Sequence, residues 1–435
     1  VWLDDPDSGK LVGRPIPDLA KTPFPTEIAR YGAITPVMMG AKPGTPAFRH
    51  WVAAEALRRS ADFWGDRISD GQWCKYPKLS VEIANGQAID CYYTRGSVNI
   101  GLDANFPGGS IYAGESAEVV AHEVGHGVLD GLNPDVWDAG YVETAAFHEA
   151  WGDITAILSA LQVPEVRAIV AASPSLYLKT SSSLSRFGEQ VSKVLRAANP
   201  THVEFNCVRD AARRFDYRDP TQLPAAASVD KLSTECHSFA RVFTGAFLEI
   251  LADMVGTQTD ERGLIQTSAN LGSMLVDAVR KAPVTTHYFA EVALALVSAS
   301  SRYGGSYPDI LSRVFVSRKI LTNDQINRGE TGFKSQALVP MPVVGFPPIS
   351  AGRVSLPGKV FRLKRRVWIR AQPSCEESTR AAVIFARHLV ARGDVRPFAI
   401  EAAFSSPRGF THEIKIVGEE LELVRVRTDC GLRGS

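Results

Sequence analysis

Two histidines four residues apart, with a glutamate directly after the first, constrain this chain more than any other feature: His122-Glu123-Val124-Gly125-His126. Positions i and i+4 share a face on an α-helix, so a helical segment lets both imidazoles reach one point. The flanking Val119, Val120, Ala121, Val124 and Val128 are apolar, which makes this a largely buried helix. Two imidazoles and a carboxylate in such surroundings need partners. One metal ion shared by His122 and His126 supplies them. Glu123, beside the first histidine, is then placed to act on a water at the metal rather than on the metal.

A catalytic zinc needs a third protein ligand and an open fourth position. The next helical segment offers Phe147-His148-Glu149-Ala150-Trp151-Gly152-Asp153. Glu149 and Asp153 are four apart and share a face, so Glu149 can bind the ion while Asp153 accepts the free ring N–H of a ligand histidine. His148 competes as a ligand, but points about 100° away from Glu149 on the same helix. The spacing predicts one Zn²⁺ per chain, held by His122, His126 and Glu149.

The segments Val119 to Gly127 and Glu149-Ala150-Trp151-Gly152-Asp153 resemble those of the thermolysin-like neutral metallopeptidases. Cys207-Val208-Arg209-Asp210, Arg218-Asp219-Pro220 and Cys236-His237-Ser238-Phe239 are similar to further segments of that family. The similarity runs from about residue 47 to residue 321. It implies hydrolysis of peptide bonds by metal-activated water, with Glu123 as general base and His237 stabilising the oxyanion. It also implies that Asp153 supports His122 and that Arg209 contacts the peptide substrate.

Several positions depart from the family pattern. His148 stands where an asparagine usually precedes the third ligand, and Asn105 is the candidate for a second asparagine. The active-site tyrosine is displaced by one position, to Tyr141. Leu232 stands where an aspartate would orient His237, which leaves Asp230 or Glu235 for that task. Glu118 stands at a calcium carboxylate position, but its helical partner position is Ala160. One carboxylate does not make a calcium cage, so no tightly bound calcium is expected. An exopeptidase and a non-catalytic, zinc-stabilised binding protein are the competing readings. A structural zinc is usually closed by four protein ligands, and Glu123 favours catalysis.

The rest of the chain divides by composition. Residues 1–46 hold eight prolines, which predicts an extended surface segment. Residues 47–131 begin with a helix bearing Trp51, Ala54, Leu57, Ala61 and Trp64 on one face. Strands follow around Leu79 to Ile83, from Ala88 to Tyr93 and from Ser97 to Leu102, with a turn at Asn85-Gly86. They form a small mixed sheet, most of its pairings expected antiparallel, ahead of the metal-binding helix. Residues 132–321 are mainly helical, with an apolar stripe Phe239, Val242, Phe243, Ala246, Phe247, Ile250, Leu251 and Met254. The Pro- and Gly-rich stretch within 322–357 predicts a linker, and 358–435 a small α+β module of strands around one helix. That module could recognise substrate, tether the enzyme or cover the cleft. The fold class is α+β.

Lys+Arg 48 against Asp+Glu 47 leaves a formal charge of +1, so no broad field draws nucleic acid or an anionic membrane. The local basic run Arg362, Lys364, Arg365, Arg366 and Arg370 is interleaved with apolar residues and reads as a strand with a solvated face. No apolar run approaches the roughly 18 residues of a membrane span. The six cysteines lack CxxC pairs, which argues against a cysteine-based zinc site; Cys74 and Cys91 are a possible bridge. The expected partner is a peptide or protein substrate. Secretion would follow the habit of the family. His50, His202, His287, His388 and His412 have no metal-like spacing.

Overall fold

A computed structural model describes residues 1–3, 5–24, 26–29, 40–83, 90–103, 110–256, 260–332, 336–343, 354–356, 359–361, 367–373, 376–396, 410–417 and 420–429. The expected turn at Asn85-Gly86, Asn105, the strand expected near 398–403, the basic positions 362–366, Cys375 and Cys430 lie outside the described residues.

Strand β1 (Thr26–Ala29), helix α1 (Pro46–Gly65), and strands β2 (Leu79–Ile83), β3 (Tyr92–Tyr93) and β4 (Ser97–Ile100) build the first layer. The strand order is β1-β2-β4-β3. β1 pairs with β2 and β2 with β4 in parallel, while β3 and β4 are antiparallel. The expected antiparallel majority is therefore corrected: two of these three pairings are parallel. A parallel pair needs a crossover, and α1 lies in the connection between β1 and β2. Leu79, Val81, Val98 and Ile100 are buried. Thr45 caps α1 by accepting a hydrogen bond from the Phe48 amide, and Pro46 fits the first turn. The expected face of α1, from Trp51 to Trp64, is buried against the core. The N-terminal segment is more than extended chain: it contains a 3₁₀ turn at Pro6–Ser8, another at Leu19–Lys21, and β1 itself.

Helices α2 (Ala117–Leu132) and α3 (Val142–Ala160) follow, then α4 (Cys236–Val255), α5 (Glu261–Lys281), α6 (Tyr288–Ser300) and α7 (Tyr307–Ser317). α3 is the hub: it packs on α1, α2, α4 and α6 and is buried from Val142 to Ser159. Trp151 stacks on Trp64 with ring centroids 4.5 Å apart, and Phe147 meets Phe243 and Tyr288 edge-on at 5.1 Å. The apolar stripe of α4 is wholly buried. Among the described residues no single helix is long and apolar enough to cross a membrane. The pair Val142–Ala160 and Pro164–Ala172 passes on length and composition only together, across a 91° bend, and its first member is this central helix.

The last part contains β5 (Val339–Val343), β6 (Val367–Ala371), α8 (Glu376–Arg392), β7 (Val395–Arg396), β8 (His412–Val417), β9 (Glu420–Arg425) and β10 (Thr428–Asp429). Five of these strands form a sheet in the order β7-β8-β9-β6-β5, against which α8 packs. The stretch expected to be a linker thus supplies a strand, and it also holds a short helix, Asn323–Arg328, with a Thr322/Gln325 capping box. Pro340 and Pro342 are tolerated because β5 is an edge strand, where missing N–H donors break no ladder on the open side. β10 leaves this sheet and extends the first one, pairing antiparallel with β3: Thr428 opposite Tyr93, Asp429 opposite Tyr92. Cys74 and Cys91 carry no disulfide, so the possible bridge between them is not formed.

Candidate metal centre

The centre is made where α2 crosses α3. Two glycines set that approach. A Cβ on Gly125 would lie 2.7 Å from the Thr155 hydroxyl and 3.2 Å from Cα of Gly152, and a Cβ on Gly152 would lie 2.5 Å from the His122 ring. With nothing larger at either site, the two helices come close enough for donors from both to converge. His122, His126 and Glu149 each offer one ligand atom, all within 4.8 Å of one another. Nε2 of His122 lies 3.3 Å, and Nε2 of His126 3.8 Å, from Oε2 of Glu149. All three residues, and Glu123, are 0% exposed.

Their hydrogen bonding fits a cation. Nε2 of His122, both ring nitrogens of His126 and Oε2 of Glu149 are buried without a hydrogen-bond partner among the described residues. Such groups are costly to bury unless something binds them. Asp153 lies 3.0 Å from Nδ1 of His122. Donation of that N–H to the carboxylate leaves the Nε2 lone pair directed at the centre. Burial holds the His126 pKa down to about 3. Burial raises Asp153, but Arg209 and His122 outweigh it and bring the carboxyl to about 2. For Glu149 burial is likewise outweighed, by His237 and His126, and its pKa falls well below the ordinary value. Histidine and carboxylate donors of this kind suit zinc.

The other expected site residues fall into two groups. His237, at the start of α4, reaches the centre: its Nε2 is 3.0 Å from Oε2 of Glu149. Nδ1 of His237 is 2.5 Å from Oε1 of Glu235, whose Oε2 accepts the Ser238 amide at 2.8 Å. Asp230 is not the partner of His237; it is exposed and bonded to the Ser228 hydroxyl. The reason is local: Glu235 precedes α4 as its N-cap and turns back over the first helical turn. Arg209 reaches the site from beneath. Its guanidinium grips Asp153 (Nε to Oδ2, 2.9 Å) and packs on the Phe187 ring at 4.1 Å. It is 4% exposed.

Tyr141 is buried under the C-terminal part: its hydroxyl bonds to the Ser378 hydroxyl at 2.5 Å and accepts the Gln372 amide at 2.7 Å. His148 is 0% exposed, its ring 5.7 Å from that of His126 and 5.6 Å from that of Trp137. It stands outside the ligand triad. Glu118 accepts the Gly188 amide at 2.6 Å. Two residues at the centre carried no sequence signal. The Thr428 hydroxyl donates to Oε1 of Glu149, and the Asp429 carbonyl accepts from Nε2 of His237 at 2.5 Å.

Fold and site together define an α+β chain with a buried His-His-Glu candidate metal centre on two crossed helices. No family model matches the sequence, and no curated protein matches it. Among solved structures, the chain is similar to the precursor of protealysin, a metalloproteinase from Serratia proteamaculans. Identity is 14% over 68% of this chain and 87% of that one, with a TM-score of 0.43.

Proposed function

We propose that the chain is a zinc-dependent peptidase, an endopeptidase in its main activity. The observation that carries this reading is the convergence of His122, His126 and Glu149, with Nε2 of both histidines lacking a hydrogen-bond partner among the described residues, beside a buried Glu123. A zinc ion there would polarise a substrate carbonyl and lower the pKa of a water toward about 7. Glu123 takes a proton from the attacking water and delivers it to the departing amine nitrogen. One C–O bond forms, the C–N bond breaks, and the water is divided between the two products. His237 donates from Nε2 to the carbonyl oxygen as charge develops on it. Glu235 fixes the His237 ring through Nδ1. Asp153, gripped by Arg209, fixes His122 in the same way; Arg209 acts through Asp153 rather than on the substrate.

Mass spectrometry of the purified protein should find one zinc per chain. Hydrolysis of a quenched-fluorescent peptide library should stop on chelation and return with added zinc. A protein that takes up no zinc, or whose cleavage ignores chelation, would sink the reading.

A further inference from the structure

The candidate centre is buried, and Thr428 and Asp429 lie directly against it. Thr428 and Asp429 are 4% and 1% exposed. They lie as an added strand on the outer edge of β3, with Thr428 opposite Tyr93 and Asp429 opposite Tyr92. From there the Thr428 hydroxyl takes Oε1 of Glu149, and the Asp429 carbonyl takes Nε2 of His237. Nε2 is the atom that a carbonyl-polarising histidine needs for its work, and Oε1 is the second oxygen of the ligand carboxylate. Arg427 anchors the segment to the same sheet, with Nη1 2.7 Å from Asp90. The strand also packs on α3, at whose start Ser378 and Gln372 occupy the Tyr141 hydroxyl.

A peptide carbonyl on His237, carried by a strand added to a sheet edge, is how an extended peptide substrate would also have to lie. We infer that Thr428–Asp429 is a built-in blocking strand that occupies the substrate's place, so that the enzyme is latent until the strand is displaced. This rests on the peptidase reading of the centre. The added strand is short: two ladder residues, with the Thr428 hydroxyl and the Asp429 carbonyl at the centre and Arg427 beside Asp90. A blocker of that size can leave the edge without unfolding the core, and the active fraction equals the fraction of molecules with the strand away.

The test compares the full chain with the full-length double variant Thr428→Gly/Asp429→Gly, since glycines weaken a strand and remove the hydroxyl. Three quantities are read: zinc content, the rate at which dipicolinate strips the zinc, and hydrolysis of the peptide library. Unchanged zinc content with stripping and hydrolysis each faster by about tenfold or more is expected. Equal rates in the two proteins would overturn the inference. So would a variant that loses its zinc or cleaves more slowly, because the strand would then complete the centre rather than cover it. Faster stripping with no cleavage by either protein would keep the blocking strand and reject the peptidase. If the double variant does not fold, a chain ending at Val426 takes its place in the same comparison. The peptide of residues 424–429 should then inhibit it competitively, and failure to inhibit would count against the inference.

Discussion

Gly152 lies against the imidazole of His122 so closely that a methyl group there would stand 2.5 Å from the ring. Glycine in mid-helix ordinarily costs about 1 kcal/mol relative to alanine, yet here it makes room for a ligand. Gly152→Ala should therefore lower stability, by about 1–3 kcal/mol as for other overpacked cores, and weaken zinc binding. Urea unfolding and a zinc competition titration check both. A stabilised variant with unchanged zinc affinity would show that the helices have room to spare.

Glu123→Gln keeps shape and burial but cannot accept the proton. Zinc content should be unchanged while peptide hydrolysis falls by about 10²–10⁴-fold, the usual worth of a general base. Steady-state kinetics beside metal analysis decide it; full activity in the glutamine variant would remove Glu123 from the mechanism.

Asp153 ties His122 to Arg209, with Nδ1 of His122 at 3.0 Å on one side and the guanidinium at 2.9 Å on the other. Asp153→Asn should reduce zinc affinity by about 10–100-fold. Arg209→Lys should weaken zinc binding too, since lysine lacks the fork that grips both oxygens. If Arg209→Lys instead raised KM alone, with zinc affinity intact, the arginine would belong to the substrate site.

Glu235, not Asp230, meets the His237 ring. Glu235→Gln should lower kcat by about tenfold or more with little change in KM, as expected when a group acting in the transition state loses its orientation. Asp230→Asn should match the parent protein in both constants. The reverse outcome would mean that His237 is held differently in the working enzyme.

Glu143 is buried on α3, bonded to the Tyr217 hydroxyl at 2.7 Å and to the Phe289 amide at 2.8 Å. Burial pushes its pKa up from 4.5 to about 7. The folded state then holds this proton more tightly than the unfolded chain does. Stability from this group is complete below about pH 4.5 and is lost as pH rises to about 7, by up to about 3 kcal/mol. Urea midpoints at pH 5 and pH 7.5 should differ more for the parent than for Glu143→Gln. Equal differences would place the carboxyl near its ordinary pKa.

Short-range pattern carried much of this protein. The i, i+4 spacing of His122 and His126, and of Glu149 and Asp153, puts each pair on one helical face from sequence alone, because helix geometry is local. The same holds for the buried faces of α1 and α4, whose apolar period is visible without any partner. Local signals failed where the partner was remote. Pro340 and Pro342 read as linker residues, since nothing nearby says that they will stand at a sheet edge. The choice between Asp230 and Glu235 depended on how the chain turns into α4. Thr428 and Asp429 meet Glu149 and His237 across some 279 and 192 residues of chain. Their two-residue strand has no periodicity to detect, and its place at the centre exists only because the last strand leaves its own sheet for the edge of the first. Sequence determined which side chains can gather around a metal; tertiary structure decided what else lies against them, because strand pairing at an open edge is set by long-range docking and not by local composition.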